Sequence, residues 1–112
     1  MKSRSISISV SKELGSVSAE AIVPPKAKAM LVLAHGAGAG MTHAFMVALS
    51  ESLAGHQIAT LRFNFLYMEN KKGRPDTPAV AHQAIDAALK KATKLYPKLP
   101  LFAGGKSRQF GI

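Results

Sequence analysis

The sequence predicts one α/β domain with a largely parallel sheet. Two stretches that alternate polar and apolar residues, at 5–10 and 16–23, indicate an antiparallel hairpin spanning 5–23. From residue 29 onward, short apolar runs alternate with helical patterns in the order strand, helix, strand, helix, strand. This order is typical of parallel sheets covered by helices. The length of 112 residues suits a single domain, 1–112, with its own core.

The first buried strand and its helix are predicted from apolar patterning. Residues 29–34, AMLVLA, form a continuous apolar run, as a strand buried on both faces should. Thr42 is the expected N-cap of the helix that follows, and Gly55 the expected stop. Apolar residues recur every four positions from Phe45 to Leu53, so we expect that face to contact the sheet.

The second half of the domain is predicted in the same way. IATLRF at 58–63 is the next strand, and the polar stretch MENKKGRPD after it is expected to be a loop. Thr77 and Pro78 are a typical N-cap and first-turn pair, so a helix should begin there and run to about Tyr96. LFAG at 101–104 is the last strand. The second helix is expected to face the sheet with Ala81, Ala84, Ile85, Ala88, Ala92 and Leu95.

Composition and charge exclude several classes of protein. The apolar runs are far shorter than the ~20 residues of a membrane span, and the N-terminus has no continuous apolar signal, so we expect a soluble, cytoplasmic protein. The net charge of +9 is spread along the chain without interleaved aromatic residues, so we expect no nucleic-acid partner. Cysteine is absent and no histidine pair has metal-ligand spacing with a carboxylate, so we predict no metal and no cofactor.

Two glycine-bearing turns follow predicted strands, HGAGAG at 35–40 and GGKS at 104–107. Both lie at the carboxyl ends of strands, where open α/β sheets bind their ligands. The first turn does not fit a dinucleotide fingerprint, because Met41 or His43 occupies the third glycine position. The second does not fit a P-loop, because Pro100 occupies its first glycine position.

The remaining interpretation combines the two turns. Backbone amides after the first strand would form an oxyanion hole, and Ser107 after the last strand would be a nucleophile. The structural alternative for Ser107 is the N-cap of a helix.

Three stretches resemble a known family in order and spacing: LVLAHGAGAGM, TLRFNFLYME followed by RPD, and LFAGGKS. They are similar to a bacterial branch of the α/β-hydrolase superfamily, which is related to the hydrolase-like subunit of a nuclear histone-acetyltransferase complex and to its testis-expressed relatives. The resemblance covers residues 28–107 and implies the N-terminal half of an α/β-hydrolase fold. In that fold the strand ending at Ala34 lies beside the strand ending at Gly104, with the 58–63 strand on the far side of the former.

The resemblance also implies a chemistry and its residues. The reaction is serine-dependent hydrolysis of a small carboxylic ester, with Ser107 at the nucleophile position. The amides of Ala37 or Gly38 and of Arg108 would hold the oxyanion. Four further residues would line the pocket or form its loop, with the histidine ordering the loop rather than transferring protons: His35, Gly36, Asn64 and Phe65.

The sequence departs from the family after the serine. Gly105 fits the first glycine of the G-x-S-x-G elbow, but Gln109 stands in place of the second. The acid and the histidine follow the serine in the family, yet all four histidines here precede it. We therefore expect an inactive fragment, truncated or frameshifted, with a divergent tail at 108–112 and possible self-association through an exposed sheet edge. A non-enzymatic interaction module and a nucleotide-binding α/β domain remain as alternatives.

Overall fold

A computed structural model of the chain describes residues 3–36, 40–72 and 74–105. These residues form one five-stranded sheet with helices on both faces. The strands are β1 (Arg4–Ser11), β2 (Gly15–Ile22), β3 (Ala29–Ala34), β4 (Ile58–Phe63) and β5 (Leu101–Gly105). The helices are α1 (Ala44–Ala54), α2 (Leu66–Glu69) and α3 (Pro78–Leu95).

The strand order across the sheet is β1-β2-β4-β3-β5. β1 and β2 form the predicted antiparallel hairpin, and β2 pairs antiparallel with β4. β3 pairs parallel with β4 on one side and with β5 on the other, which confirms the predicted α/β fold and strand order. Because β3, β4 and β5 are parallel, the segments that follow them meet at one edge of the sheet.

α3 covers one face of the sheet with a stripe of small residues. Thr77 is its N-cap and accepts a hydrogen bond from the Val80 amide at 3.4 Å, and Pro78 is its first residue, as predicted. The short side chains let the helix approach β3 closely, where Met30 and Val32 are fully buried. Leu95, which was expected on the buried face, is only half-buried. The buried residues of α3 are Ala81, Ala84, Ile85, Ala88 and Ala92.

α1 covers the opposite face of the sheet, and both its predicted N-cap and its predicted contact face were wrong. The N-cap is His43 rather than Thr42, because the His43 ring nitrogen Nδ1 accepts from the Phe45 amide at 3.2 Å. The face against β4 is made by Met46, Ser50 and Ala54, whereas Phe45 remains 49% exposed. The small Ser50 and Ala54 permit close packing on a strand, so helix rotation follows side-chain size there and not apolar spacing alone.

The expected polar loop after β4 contains a short helix, α2, that the sequence did not indicate. Leu66 and Tyr67 are buried and anchor this helix to the core. The Tyr67 amide donates to Asp76 Oδ2 at 3.2 Å, which satisfies one of the amides at the start of the helix. A four-residue helix is too short to show a 3.6-residue period, which explains why the pattern was missed.

Candidate functional site

The candidate site lies at the carboxyl edge of β3 and β5. Ala34, the last residue of β3, is the register partner of Gly105, the last residue of β5. His35 and Gly36 continue directly from β3 at this edge. The predicted oxyanion amides of Ala37, Gly38 and Arg108 and the predicted nucleophile Ser107 lie outside the described residues.

His35 is held in one tautomer by two backbone groups. Its Nε2 accepts a hydrogen bond from the Phe65 amide at 3.0 Å, and its Nδ1 lies 2.9 Å from the Gly36 carbonyl oxygen. Because a carbonyl can only accept, Nδ1 carries the proton and the ring is neutral. With 1% exposure, burial lowers the pKa of the imidazole, and the Gly36 carbonyl and the negative charge of Asp76 offset only part of that effect. Both ring nitrogens are therefore engaged in holding the chain.

Met41, on the far side of the glycine-rich turn, is held through both its backbone groups. Its amide donates to Asn64 Oδ1 at 2.9 Å, and its carbonyl accepts from Arg62 Nη1 at 2.8 Å. We call these two interactions the Met41 clamp. The turn that contains the predicted oxyanion amides thus runs between two anchored points, His35 and Met41.

Arg62, one half of the Met41 clamp, is a buried cation in β4. Its side chain is 2% exposed, and Nη2 lies 3.1 Å from Glu20 Oε1 on β2. Glu20 and Arg62 are register partners in the antiparallel pair, so the ion pair spans neighbouring strands directly. Burying the guanidinium is tolerable because a carboxylate and a carbonyl both accept from it.

Asn64, the other half of the clamp, is oriented by Glu69. Asn64 Nδ2 donates to Glu69 Oε1 at 3.1 Å, so the amide oxygen must face the Met41 amide. The same carboxylate accepts from the Ser18 amide and the Ser18 hydroxyl, each at 2.9 Å. Partial burial acts to raise the pKa of the Glu69 carboxyl, but the hydrogen bonds from Ser18 and Asn64 outweigh it and hold the pKa below its ordinary value. Glu69 therefore stays ionised and fixes Asn64.

At Gly105, the last residue of β5, the strand leaves no room for a side chain beside β3. A Cβ atom on Gly105 would lie 2.5 Å from the Ala34 carbonyl oxygen and 3.1 Å from both the Ala34 nitrogen and Cβ. A Cβ on the neighbouring Gly104 would meet only Leu31 Cδ1 at 3.6 Å, an ordinary contact. The backbone geometry therefore excludes side chains at 105 and accepts them at 104. This glycine stands two residues before Ser107, where the G-x-S pattern requires one.

The sequence profile described as "Alpha/beta hydrolase domain" matches residues 27–109, which includes both glycine turns. This chain belongs to that hydrolase family. The match covers most of the chain and agrees with the strand order that the resemblance implied.

Solved structures share the hydrolase fold at low sequence identity. A dienelactone hydrolase from Anabaena variabilis superposes with a TM-score of 0.81 at 18% identity, covering 98% of this chain and 54% of its own. An alpha-beta serine hydrolase homologue from Coxiella burnetii superposes with a TM-score of 0.78 at 18% identity, covering 97% of this chain and 54% of its own. Est1E from Butyrivibrio proteoclasticus superposes with a TM-score of 0.74 at 21% identity, covering 93% of this chain and 41% of its own. The chain thus spans about half the length of the structures it matches. No curated protein matches the sequence significantly.

The structure brings only part of the predicted site together. His35 and Gly36 lie at the start of the glycine-rich turn, and Asn64 contacts Met41 at its end. Phe65 does not line an open pocket. It is fully buried in the core, and its ring packs edge-on against His35 with centroids 5.1 Å apart.

Sequence reasoning missed the residues that hold the Met41 end of the loop, although two of them could have been recognised from the sequence. Arg62 is a lone charge in an otherwise apolar strand, and Glu20 is a lone charge in the alternating strand 16–23. Lone charges of opposite sign in two predicted strands indicate a buried ion pair once the strands are known to be neighbours. Ser18 and Glu69 carried no comparable signal, because serine alternates through the whole hairpin and Glu69 lay in an expected loop.

Within the described ranges, no group of three or more histidine, aspartate or glutamate side chains could hold a metal ion. Nor is any helix in those ranges long and apolar enough to cross a membrane.

The two adjacent glycines of β5 should respond differently to the same substitution. Gly105→Ala should destabilise the protein by about 1–3 kcal/mol or more, because the methyl group would overlap the Ala34 carbonyl and force the strands apart. Gly104→Ala should stay within about 0.5 kcal/mol of wild type. Urea unfolding followed by circular dichroism measures both. Equal effects of the two substitutions would show that β5 does not approach β3 as described.

Stability should fall as the pH drops below about 6.5. The pKa of His35 is lowered in the folded state, so below about pH 6.5 the unfolded chain binds a proton that the native state does not. The free energy of unfolding should therefore fall by at most about 1.4 kcal/mol per pH unit. His35→Gln, whose amide oxygen can still accept from Phe65, should remove this decline between pH 6.5 and 5. Glu69 contributes in the same direction only below about pH 4.5, because its pKa is also lowered.

The control for this pH dependence is His82→Gln, which replaces a histidine on the exposed face of α3 and should leave the decline in place. The measurement is the unfolding free energy at several pH values. Identical pH profiles for wild type and His35→Gln would contradict the neutral, backbone-bound state of His35.

Proposed function

We propose that this chain supplies the nucleophile and the oxyanion-stabilising loop of a serine hydrolase that cleaves small carboxylic esters. The observation that carries the proposal is the contact of Gly105 with Ala34, which lies beside a glycine-rich turn anchored at His35 and Met41. The Coxiella burnetii structure is a serine hydrolase homologue, the Anabaena variabilis structure is a dienelactone hydrolase, and a similar Pyrococcus furiosus structure is an esterase. All three are described as a hydrolase, a hydrolase homologue or an esterase, which supports a hydrolytic reaction for this chain.

In the proposed reaction, Ser107 Oγ attacks the ester carbonyl carbon while a general base takes the hydroxyl proton. The amides of Ala37 or Gly38 and of Arg108 donate to the oxyanion that forms. The alcohol leaves with a proton returned from the base, and water then cleaves the acyl-serine by the same route. Holding the loop in place before substrate binds matters here, because donors that need no reorganisation stabilise the developing charge most effectively.

His35 does not act as the base in this proposal. Its Nε2 accepts from Phe65 and its Nδ1 proton is held by Gly36, so neither nitrogen can take the serine proton without breaking a buried hydrogen bond. Residues 108–112 contain neither aspartate nor histidine. In this proposal, the base and its orienting acid are supplied from outside these 112 residues.

The finer family assignment belongs to the same proposal. The order HGAGAGM, TLRFNFLYME and LFAGGKS favours the bacterial branch related to the acetyltransferase-complex subunit. In the structure, the second of these segments contains both arms of the Met41 clamp, Arg62 and Asn64, together with Glu69.

A second candidate function is a non-enzymatic interaction module, and one observation favours it. β5 is the last strand at its edge of the described sheet, and Phe102 on it is 59% exposed. An apolar edge strand is a template for pairing with another chain. We propose that the 112-residue chain associates with itself through β5.

Catalysis should appear only when the rest of the fold is supplied. The 112-residue chain should neither hydrolyse p-nitrophenyl acetate above its Ser107→Ala variant nor react with a fluorophosphonate probe. A chimera joins residues 1–107 to the part of the Coxiella burnetii hydrolase homologue that this chain does not span. This chimera should hydrolyse p-nitrophenyl acetate and react with the probe. In the chimera, Ser107→Ala should lower kcat/KM by at least about 10³-fold, since loss of the nucleophile leaves only binding and oxyanion contributions.

Circular dichroism and a cooperative melting curve establish that the chimera is folded. A folded chimera that fails to label at Ser107 would overturn the proposed nucleophile. Stoichiometric labelling of the 112-residue chain alone, lost in Ser107→Ala, would instead show that a residue within this chain serves as the base.

Self-association should depend on Phe102 and strengthen with salt. Sedimentation velocity should show concentration-dependent oligomers that grow as salt screens the net charge of +9. Phe102→Lys should weaken association at least about tenfold, because a buried phenylalanine contributes roughly 1.5–3 kcal/mol. The control is Val23→Lys, which changes another exposed apolar residue away from β5. A compact monomer at high concentration and high salt would rule out this association.

A further inference from the structure

A groove runs between β1 and α3 on the side of the domain away from the candidate site. It has a volume of about 420 Å³, with Ile8, Ser9 and Val10 of β1 along one wall. The other wall is one stripe of α3 that extends from Gln83 to Lys94. At 1.5 Å per residue this stripe is about 16 Å long, which equals about five residues of extended chain.

The α3 wall of the groove is positively charged. Lys90, Lys91 and Lys94 line it, whereas Asp86 is the one carboxylate there, so the local net charge is +2. Among the residues that the structure describes, one ion pair has its charged atoms within 4.0 Å, that of Arg62 with Glu20. The three lysines of the groove therefore have no carboxylate partner at that distance. Three neighbouring ammonium groups with a single carboxylate beside them favour an anionic occupant.

The β1 wall has unused hydrogen-bonding groups. β1 is eight residues long and pairs only with β2 in the described sheet, so alternate backbone groups along its outer edge face away from the hairpin. An edge of this length can accept one more strand. Along this edge serine alternates with isoleucine or valine from Ser5 to Val10, and none of these side chains carries a charge.

We propose that this groove binds an extended acidic peptide segment, which adds to the β1 edge as a strand and places carboxylates against the lysines of α3. Successive side chains on one face of a strand are about 6.7 Å apart, and Lys90 and Lys94, one helical turn apart, are separated by about 6 Å along the helix. Acidic residues at alternate positions of the peptide therefore match the lysine spacing. The proposal concerns a surface distant from the hydrolase site and does not depend on the proposed function.

Other occupants fit less well. A second copy of this chain carries a net charge of +9 and would meet repulsion at the lysines. No aromatic residue lines the groove to stack with bases, which disfavours single-stranded nucleic acid. A concave groove beside a strand edge also matches a narrow extended chain better than a flat lipid surface.

The proposal is tested with a fluorescein-labelled nonapeptide in which glutamate alternates with threonine, titrated with the full 112-residue protein and followed by fluorescence anisotropy. Saturable binding is expected. The double variant Lys90→Glu/Lys94→Glu should weaken it at least about tenfold. The matched control, Lys28→Glu/Lys72→Glu, makes the same change of net charge at two exposed lysines outside the groove and should change affinity less than about twofold. Circular dichroism verifies that both variants fold.

A second peptide separates strand addition from charge attraction alone. Methylation of alternate backbone nitrogens keeps every carboxylate but removes the amides that pair with β1, and should abolish binding. Equal affinity of the methylated peptide, equal losses in the two double variants, or absence of peptide binding would each overturn the proposal. So would lysine-dependent binding of a DNA oligonucleotide or of phosphatidylserine vesicles at least as tight as that of the peptide.

Discussion

The arrangement of the candidate site depends on the clamp that Arg62 and Asn64 form on the two backbone groups of Met41. Both clamp residues come from β4 or directly follow it, so the parallel pairing of β3 with β4 sets the position of the loop between them. The clamp also connects to the hairpin, because Glu20 holds Arg62 and Ser18 holds Glu69. Residues distant in sequence thus fix Met41 at the end of one short turn, and replacing any one of them would leave a buried or partly buried polar group without its partner.

Buried ionic groups rarely add stability compared with apolar residues of similar size, so the clamp calls for another explanation. A loop built mainly of glycine and alanine has many accessible conformations and few side chains to pack. Hydrogen bonds with defined directions restrict such a loop more effectively than apolar contacts, which are not directional. We infer that the ion pair and the ionised Glu69 exchange some stability for a fixed backbone position at Met41, where this loop ends.

Patterning in the sequence was sufficient to predict the sheet, the hairpin and α3, because their apolar periods extend over five or more residues. The face of α1 was predicted wrongly, since Phe45 and Leu49 border a cavity of about 220 Å³ with Leu33 and Gly105, while Met46, Ser50 and Ala54 are the buried residues of the helix. The position of His35 at the carboxyl end of a strand was predictable from strand order, and that of Gly105 from the elbow pattern. The site was not predictable where single hydrogen bonds across neighbouring strands decide it, because a bond such as Ser18 to Glu69 joins residues 51 positions apart.

The two edges of the described sheet have opposite chemistry, and this limits what each can bind. β1 presents serine side chains beside the lysines of α3, and charge repulsion opposes the approach of a second copy of this basic chain. β5 presents Phe102 and Ala103 to solvent and carries no charge, so nothing on the strand itself opposes pairing there. The candidate site lies at the carboxyl end of β5, within a few ångströms of Ala34. Any strand that pairs with β5 therefore lies against the proposed active site, whereas a partner on β1 can bind without reaching it.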